Sequence, residues 1–191
     1  QPIRDMLLNS YRYAQNEGGN DLVFLNVQAA RIGVLDLDRF RRQIEYCLVD
    51  NGTCADMVLQ VHGRYSDTTA FDFMRPMGVW FENFSLPVVI NECLMQSYTG
   101  TIRLFPNWPL QKHAAFHTLR AVGAFLVSAS CADGQVEYVE ILSEAGSTLR
   151  ILIPWDSGAR VIRASGEESI VKELLETSTH PGETIRLVKS G

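Results

Sequence analysis

The sequence has no long hydrophobic run, no basic cluster and no segment built like a secretory signal. No apolar stretch approaches the roughly 18 residues that a membrane-spanning helix needs. Asp and Glu outnumber Lys and Arg by 22 to 17 among the 191 residues. We therefore expect no membrane span and no nucleic-acid partner. The start of the chain, QPIRDMLLNS, lacks the basic beginning and the long apolar middle of a signal peptide.

The sequence also lacks the short motifs of common cofactor, metal and nucleophile sites. It contains no Gly-rich phosphate loop, no Gly-x-Ser-x-Gly elbow and no Cys-x-x-Cys pair. Its four histidines, His62, His113, His117 and His180, are too scattered to suggest a zinc site. We therefore expect neither a metal nor a cofactor.

Cysteine is scarce, with four residues, and two interpretations of it stand. Cys47 and Cys54 flank the turn-like segment LVDNGT and could form a local disulfide, which would suit an exported protein. Alternatively all four thiols are free and buried, which is the common state of isolated cysteines. Cys93 lies in an apolar segment and Cys131 follows a strand-like run, so this second interpretation suits them best.

A composition of 46% hydrophobic and 20% charged residues is enough for a buried core, and the chain changes character near Gly100. Before it, helical spacing of apolar residues predicts helices over 2–15, 22–32, from Asp36 or Asp38 to about 50, and 86–98. In the first helix one stripe holds Ile3, Met6, Leu7, Tyr11 and Ala14. In the third, Arg39, Arg41 and Arg42 are predicted to face outward.

After Gly100, short alternating runs predict six to eight β-strands. The strongest signal is a hairpin in which Asp133-Gly134 joins 124–130 to 135–142. Further strands are predicted at 101–105, 148–153, 160–163 and 184–188, and His113 and His117 are placed in a solvent-facing connection. Residues 170–175 fit either a short helix or a strand. The predicted fold class is α+β, with a helical segment over 1–100 and an antiparallel β-sandwich over 101–191.

The predicted helix at 86–98 is apolar on nearly every side, with Ser85 as its cap and Pro87 in its first turn. A helix that is apolar all round must be buried all round, which requires a ring of other helices. The preceding residues supply only a few. We therefore expect this chain to be the end of a larger protein, or to pair its exposed helical faces with a second copy.

Residues 75–136 resemble the junction between barrel and sandwich in glycoside hydrolase family 95. The resemblance rests on Asn83-Phe84, Glu92, Leu94, Gln96-Ser97, Gly100, Ile102, Leu104, Pro106 and Pro109, followed by LRAVGAFLVSASCADGQV from Leu119 to Val136. The segment from Asn26 to Ile44 is compatible with one of the family's late barrel helix pairs.

This resemblance implies the late part of an (α/α)6 barrel, or toroid, followed by a C-terminal β-sandwich. Family members are inverting exo-glycosidases that act on α-L-fucosides, and some act on α-L-galactosides, using a general acid and a base-activated water. The residues that match contain no counterpart of the family's general acid. At the position of its water-activating aspartate stands Phe81, and Glu82 follows. This departure argues against the family's activity.

The same resemblance directs attention to four candidate site residues. Glu82, beside Trp80 and Phe81, is either a desolvated catalytic carboxylate or an acid at an exposed turn or helix start, favoured by the helix dipole. Trp80 stacks on a sugar or belongs to the core. Asn83 binds a sugar hydroxyl or shapes the turn before Ser85. His62 contacts substrate from a loop or is an ordinary surface residue.

The sequence is compatible with two functions from different classes. The first is the C-terminal portion of a carbohydrate-active glycoside hydrolase, catalytically silent by itself. The second is a carbohydrate-binding or scaffold module without chemistry, which Phe81 favours. In both, the expected partner is an oligosaccharide or glycan, and the expected location is the periplasm, the cell surface or outside the cell.

Overall fold

A computed structural model describes residues 2–14, 21–47 and 80–191. For Asp21, Tyr46, Cys47 and residues 80–84 it describes the backbone but not the side chain. The described chain has four helices, α1 Pro2–Tyr13, α2 Asp21–Arg31, α3 Leu37–Cys47 and α4 Trp80–Leu94. Ten strands follow, β1 Met95–Gln96, β2 Arg103–Leu104, β3 Ala114–Ala121, β4 Phe125–Ala132, β5 Gln135–Ser143, β6 Leu149–Leu152, β7 Ala159–Arg163, β8 Glu168–Val171, β9 Leu174–Thr177 and β10 Glu183–Lys189. Helices precede strands, so the predicted α+β class is confirmed. No helix in the described ranges is long and apolar enough to cross a membrane.

The chain divides into two compact units, Gln1–Glu92 and Cys93–Gly191. In the first unit, α2 and α3 form a hairpin whose ends follow local rules. Gly33 adopts φ 72° just after α2, where a side chain would be strained. The Asp36 carboxylate accepts a 2.9 Å hydrogen bond from the Arg39 N–H and so caps α3.

The apolar stripe of α1 is mostly exposed, and one prediction about side-chain orientation in α3 is wrong. Ile3 and Met6 are 74% and 69% exposed, and of the stripe in α1 Tyr11 alone is fully buried. Arg39, predicted to face outward, is half-buried. Its guanidinium lies 4.8 Å from the centre of the Tyr11 ring and donates to the Tyr11 carbonyl at 2.7 Å. A cation over an aromatic face is favourable, so this arginine points inward.

Helix α4 differs from its prediction at both ends. It begins at Trp80, so Pro87 lies inside it. It ends at Leu94, because Met95 and the residue after it enter a β-ladder. Val89 and Cys93, one turn apart, are fully buried. Val88 and Ile90, however, are 41% and 36% exposed, so part of this apolar helix is left uncovered in this chain.

The second unit is an antiparallel β-structure built around one large sheet. Six strands are hydrogen-bonded in the order β3-β4-β5-β10-β7-β8, and β6 pairs with β9 in a smaller sheet. The predicted hairpin is confirmed as β4 and β5, with Asp133 and Gly134 at positive φ in the turn between them. Leu149, Ile151 and Leu175 of the smaller sheet share one core cluster with the large sheet. The two sheets therefore form a sandwich of unequal layers.

Three strand assignments change in the structure. His117, predicted to lie in a connection, belongs to the edge strand β3, although His113 and His117 are exposed as expected. The segment 170–175, left open between helix and strand, contributes to β8 and β9. The strand predicted at 101–105 shrinks to the two residues of β2, because Ile102 bridges to Ile151 and Phe105 turns away with φ 49°.

Candidate functional site

The structure describes the predicted site residues incompletely. His62 lies outside the described residues. The backbone of Trp80, Glu82 and Asn83 belongs to the first turns of α4, and their side chains are not described. Neither Glu82 nor Asn83 is therefore a turn residue before a helix that begins at Leu86, and that interpretation is wrong. An acid in the first turn of a helix is favoured by the helix dipole, and the catalytic and sugar-binding roles stay predictions.

Glu92, one of the residues that carry the family resemblance, ties two helices together. Its carboxylate Oε1 accepts a 2.8 Å hydrogen bond from Nη2 of Arg31, which joins α4 to α2. The Glu92 side chain is only 14% exposed, whereas that of Arg31 is 44% exposed. A partly buried ion pair of this kind holds helices in register.

The other residues of the resemblance shape the connection from α4 into the sandwich. Leu94 and Ile102 are buried, and the Leu94 carbonyl accepts a 2.7 Å hydrogen bond from the Phe105 N–H. Gly100 has φ 81° and closes a turn by donating to the Ser97 carbonyl at 2.9 Å. The Ser97 hydroxyl in turn accepts from the Val122 N–H at 3.1 Å. These contacts give Leu94, Ser97, Gly100 and Ile102 a structural role.

An apolar groove lies between α1 and α2 in the helical unit. Its walls include Leu7, Leu25 and Ile32, with Ser10 and Gln28 among the lining residues, and its volume is about 230 Å³. Sites for drug-sized ligands usually measure about 300–1,000 Å³. The groove is therefore small for an oligosaccharide, and its lining is mostly apolar.

In the β unit, Arg163 joins the large sheet to the small one. From β7 its guanidinium donates to the Glu183 carboxylate of β10 and to the Thr177 hydroxyl of β9, the latter at 2.5 Å. Burial acts to raise the pKa of Glu183, but hydrogen bonds from the His180 N–H and from Arg163 outweigh it, so the pKa is lowered. A glycosidase general acid needs a raised pKa, so Glu183 is unsuited to that role.

The two tryptophans of the β unit are packing residues. Trp155 is 4% exposed and its indole N–H donates to the Val136 carbonyl at 2.7 Å. Trp108 packs against the core and donates to the Lys112 carbonyl at 2.9 Å. With their N–H groups used in this way, both rings serve the fold.

The part of the chain that the structure describes contains neither a reactive cysteine nor a group of residues that could bind a metal ion. Cys93 and Cys131 are buried and unbridged, and burial raises the pKa of the Cys131 thiol. A thiol of raised pKa is a poor nucleophile. Among the described side chains no group of three His, Cys, Asp or Glu could hold a metal ion. The proposed pairing of Cys47 with Cys54 lies outside the described residues.

The outer face of the large sheet carries a row of polar residues that the sequence analysis missed. In register across β4, β5 and β10 stand Ser128, Glu140 and Arg186. On the edge strand β3 a bulge between Phe116 and Leu119 places His117 and Thr118 opposite Ser128. Because the sequence analysis placed His113 and His117 in a connection, no sequence pattern indicated that His117 belongs to this row.

Comparison with known proteins identifies no family for this chain. No protein-family profile and no curated protein matches it. Among solved structures, it is similar to a family 27 glycoside hydrolase, a β-L-arabinopyranosidase from Geobacillus stearothermophilus crystallised with arabinose. The identity is 14%, the match covers 41% of this chain and 20% of that chain, and the TM-score is 0.29. This chain thus spans about a fifth of that enzyme, and at this TM-score the likeness carries no argument.

Proposed function

We propose that this chain is a segment of a carbohydrate-active protein of the glycoside hydrolase type, and that it is catalytically silent by itself. The finer form of the proposal is family 95, with α-L-fucosides or α-L-galactosides as the substrates of the whole protein. Phe81 at the position of the family's water-activating aspartate is the reason to expect silence.

One observation carries the proposal. The residues that resemble the family junction from Glu92 to Leu104 are not scattered through the fold. They form the end of α4, the β1–β2 ladder and the Gly100 turn between those two strands. Buried contacts and a positive φ at this one connection constrain residue type at each position. A resemblance concentrated in one demanding structural element supports a common architecture better than dispersed matches do.

The test is turnover of a panel of aryl glycosides, including the α-L-fucoside and the α-L-galactoside, by the 191-residue chain. Hydrolysis requires a pair of carboxylates at glycosidase spacing. The matching residues contain no counterpart of the general acid and have Phe81 in place of the water-activating aspartate, so we expect no hydrolysis above the uncatalysed rate. Glu82→Gln serves as the diagnostic variant. Hydrolysis by the wild-type chain that is lost in Glu82→Gln, with the fold retained, would disprove silence and make Glu82 catalytic.

Export to the periplasm, the cell surface or the medium is part of the same proposal. It is supported by the spacing of Cys47 and Cys54, which suits a local disulfide. Thiol titration of the unfolded chain, purified without reductant, measures this directly. We expect two of the four cysteines to react, namely Cys93 and Cys131. Four reactive thiols would remove this support.

A further inference from the structure

We propose that the outer face of the six-stranded sheet binds a neutral oligosaccharide along the row His117, Ser128, Glu140 and Arg186, here called the polar row. This inference rests on the proposed carbohydrate function and deepens it by naming a site. The site would bind sugar through hydroxyl groups and would not cleave it.

The polar row faces outward because of strand alternation. Glu140 lies between the fully buried Val139 and Ile141, and Arg186 lies between the fully buried Ile185 and Leu187. Successive side chains of a strand point to opposite faces, so the charged residues occupy the face away from the core. Glu140, Arg186 and His117 are exposed.

Glu140 and Arg186 of the polar row do not form an ion pair, although another Glu and Arg in the same kind of cross-strand position do. Arg150 and Glu176 stand directly opposite each other on β6 and β9 and form a 3.2 Å ion pair. Glu140 and Arg186 are likewise directly opposite on β5 and β10. In the described chain, however, neither side chain has a hydrogen bond or an ion pair. A carboxylate and a guanidinium side by side are therefore available to a ligand.

Ser128 and the bulge extend the polar row to the sheet edge. The Ser128 hydroxyl accepts a 3.0 Å hydrogen bond from the Thr118 N–H, and Ser128 is only 8% exposed, so it ties the bulge to β4 at the floor of the row. Thr118 has φ 53°, a left-handed conformation that is unusual for a β-branched residue. Bulges of this kind re-aim side chains at functional sites, and here the bulge sets His117 beside the row.

The chemistry of the face fits a neutral, hydroxyl-rich ligand. Carboxylate oxygens accept from neighbouring hydroxyls and the guanidinium donates to them, while one acid and one base leave no net charge to select an anion. Half-buried Leu126 and Leu142 lie on one side of the polar row and Tyr138 lies on the other. Such side chains accommodate the apolar face of a pyranose ring. Three strand spacings give the row a length of about 14 Å, enough for a short oligosaccharide.

The experiment is a titration of the 191-residue chain with neutral oligosaccharides of three to six sugar units, α-L-fucosylated and α-L-galactosylated ones included, followed by amide NMR. We expect shifts confined to the polar row and its flanking strands. Glu140→Gln and Arg186→Gln should each weaken binding about tenfold through loss of a charge-assisted hydrogen bond. Glu176→Gln is the matched control and should bind as the wild type does. Thermal unfolding checks that every variant is folded.

The outcomes separate the site from the function. Binding that maps elsewhere, or that survives both Glu140→Gln and Arg186→Gln unchanged, overturns the site while the carbohydrate function stands. No binding to any oligosaccharide in the panel overturns the site and counts against the proposed function as well.

Discussion

At the residue scale, the charged groups of this protein divide into those that hold the fold and those that are open. Arg163 and Glu183 are only 15% and 12% exposed, and together they connect three strands. Arg150 and Glu176 are 46% and 51% exposed, and an exposed pair contributes little to stability. Glu140 and Arg186 form no pair in the described chain. Whether a charged residue stabilises the fold therefore depends on its position in the sandwich rather than on its residue type.

Glu183→Gln should make stability less dependent on pH. The folded pKa of Glu183 is lowered, so the unfolded chain binds more protons and the stabilisation is present above the ordinary value of 4.5. It is lost as the pH falls through the lowered folded pKa. At neutral pH we expect the variant to lose about 1–2 kcal/mol in the free energy of unfolding.

Urea denaturation between pH 2 and 7 measures this effect, with Glu176→Gln as the control for an exposed pair. The control should differ from the wild type by less than about 1 kcal/mol throughout. A Glu183→Gln deficit that stays constant down to the lowest pH would contradict a lowered pKa.

At the element scale, the turns determine how strands enter the sandwich. Gly146, between β5 and β6, has φ 73°, and a Cβ built on it would lie 2.6 Å from Cδ of Pro181. Gly166, between β7 and β8, has φ 84° but nothing within 4 Å of such a Cβ. Alanine at Gly166 therefore tests backbone strain alone, whereas alanine at Gly146 tests strain together with steric overlap.

Gly146→Ala should destabilise the protein by about 2–4 kcal/mol, because strain and overlap add. Gly166→Ala should cost about 1 kcal/mol, from backbone strain alone. Chemical denaturation of the two variants gives both values. Equal losses would mean that Pro181 moves aside without cost.

Pro87→Ala should stabilise α4. Proline inside a helix removes a hydrogen bond and crowds the preceding turn, so we expect a gain of about 1–3 kcal/mol. Val88→Ala, at the next position, is 41% exposed in the wild type and should change stability by about 0.5 kcal/mol or less. A Pro87→Ala variant that is less stable than the wild type would show that the ring contributes packing.

At the scale of the whole molecule, the exposed apolar residues of α1 predict self-association. Ile3 and Met6 are 74% and 69% exposed, and contiguous exposed apolar surface is typical of contact sites. We expect sedimentation velocity to show association that increases with concentration. Met6→Glu should reduce it, whereas Arg12→Glu, on the opposite side of the helix, should not. Strictly monomeric behaviour at all concentrations would contradict this.

Some elements of the fold could be predicted from the sequence, whereas the candidate site could not. The β4–β5 hairpin followed from Asp133-Gly134 between two apolar runs, because a local turn and a period of two are properties of the chain itself. The start of α3 followed in the same way from Asp36, which caps it in the structure. The candidate site was less predictable, since a row such as Ser128, Glu140 and Arg186 is assembled by strand register between distant segments.

The sequence by itself determined the α+β order, most element positions and the absence of the common cofactor motifs, because these depend on residues close in the chain. The tertiary structure decided that Arg39 turns inward onto Tyr11 and that α4 buries Val89 and Cys93 while Val88 and Ile90 stay exposed. It also decided that residues 114–121 become an edge strand with a bulge. Burial, pairing and register arise from contacts between segments far apart in sequence, and local propensity yields to them.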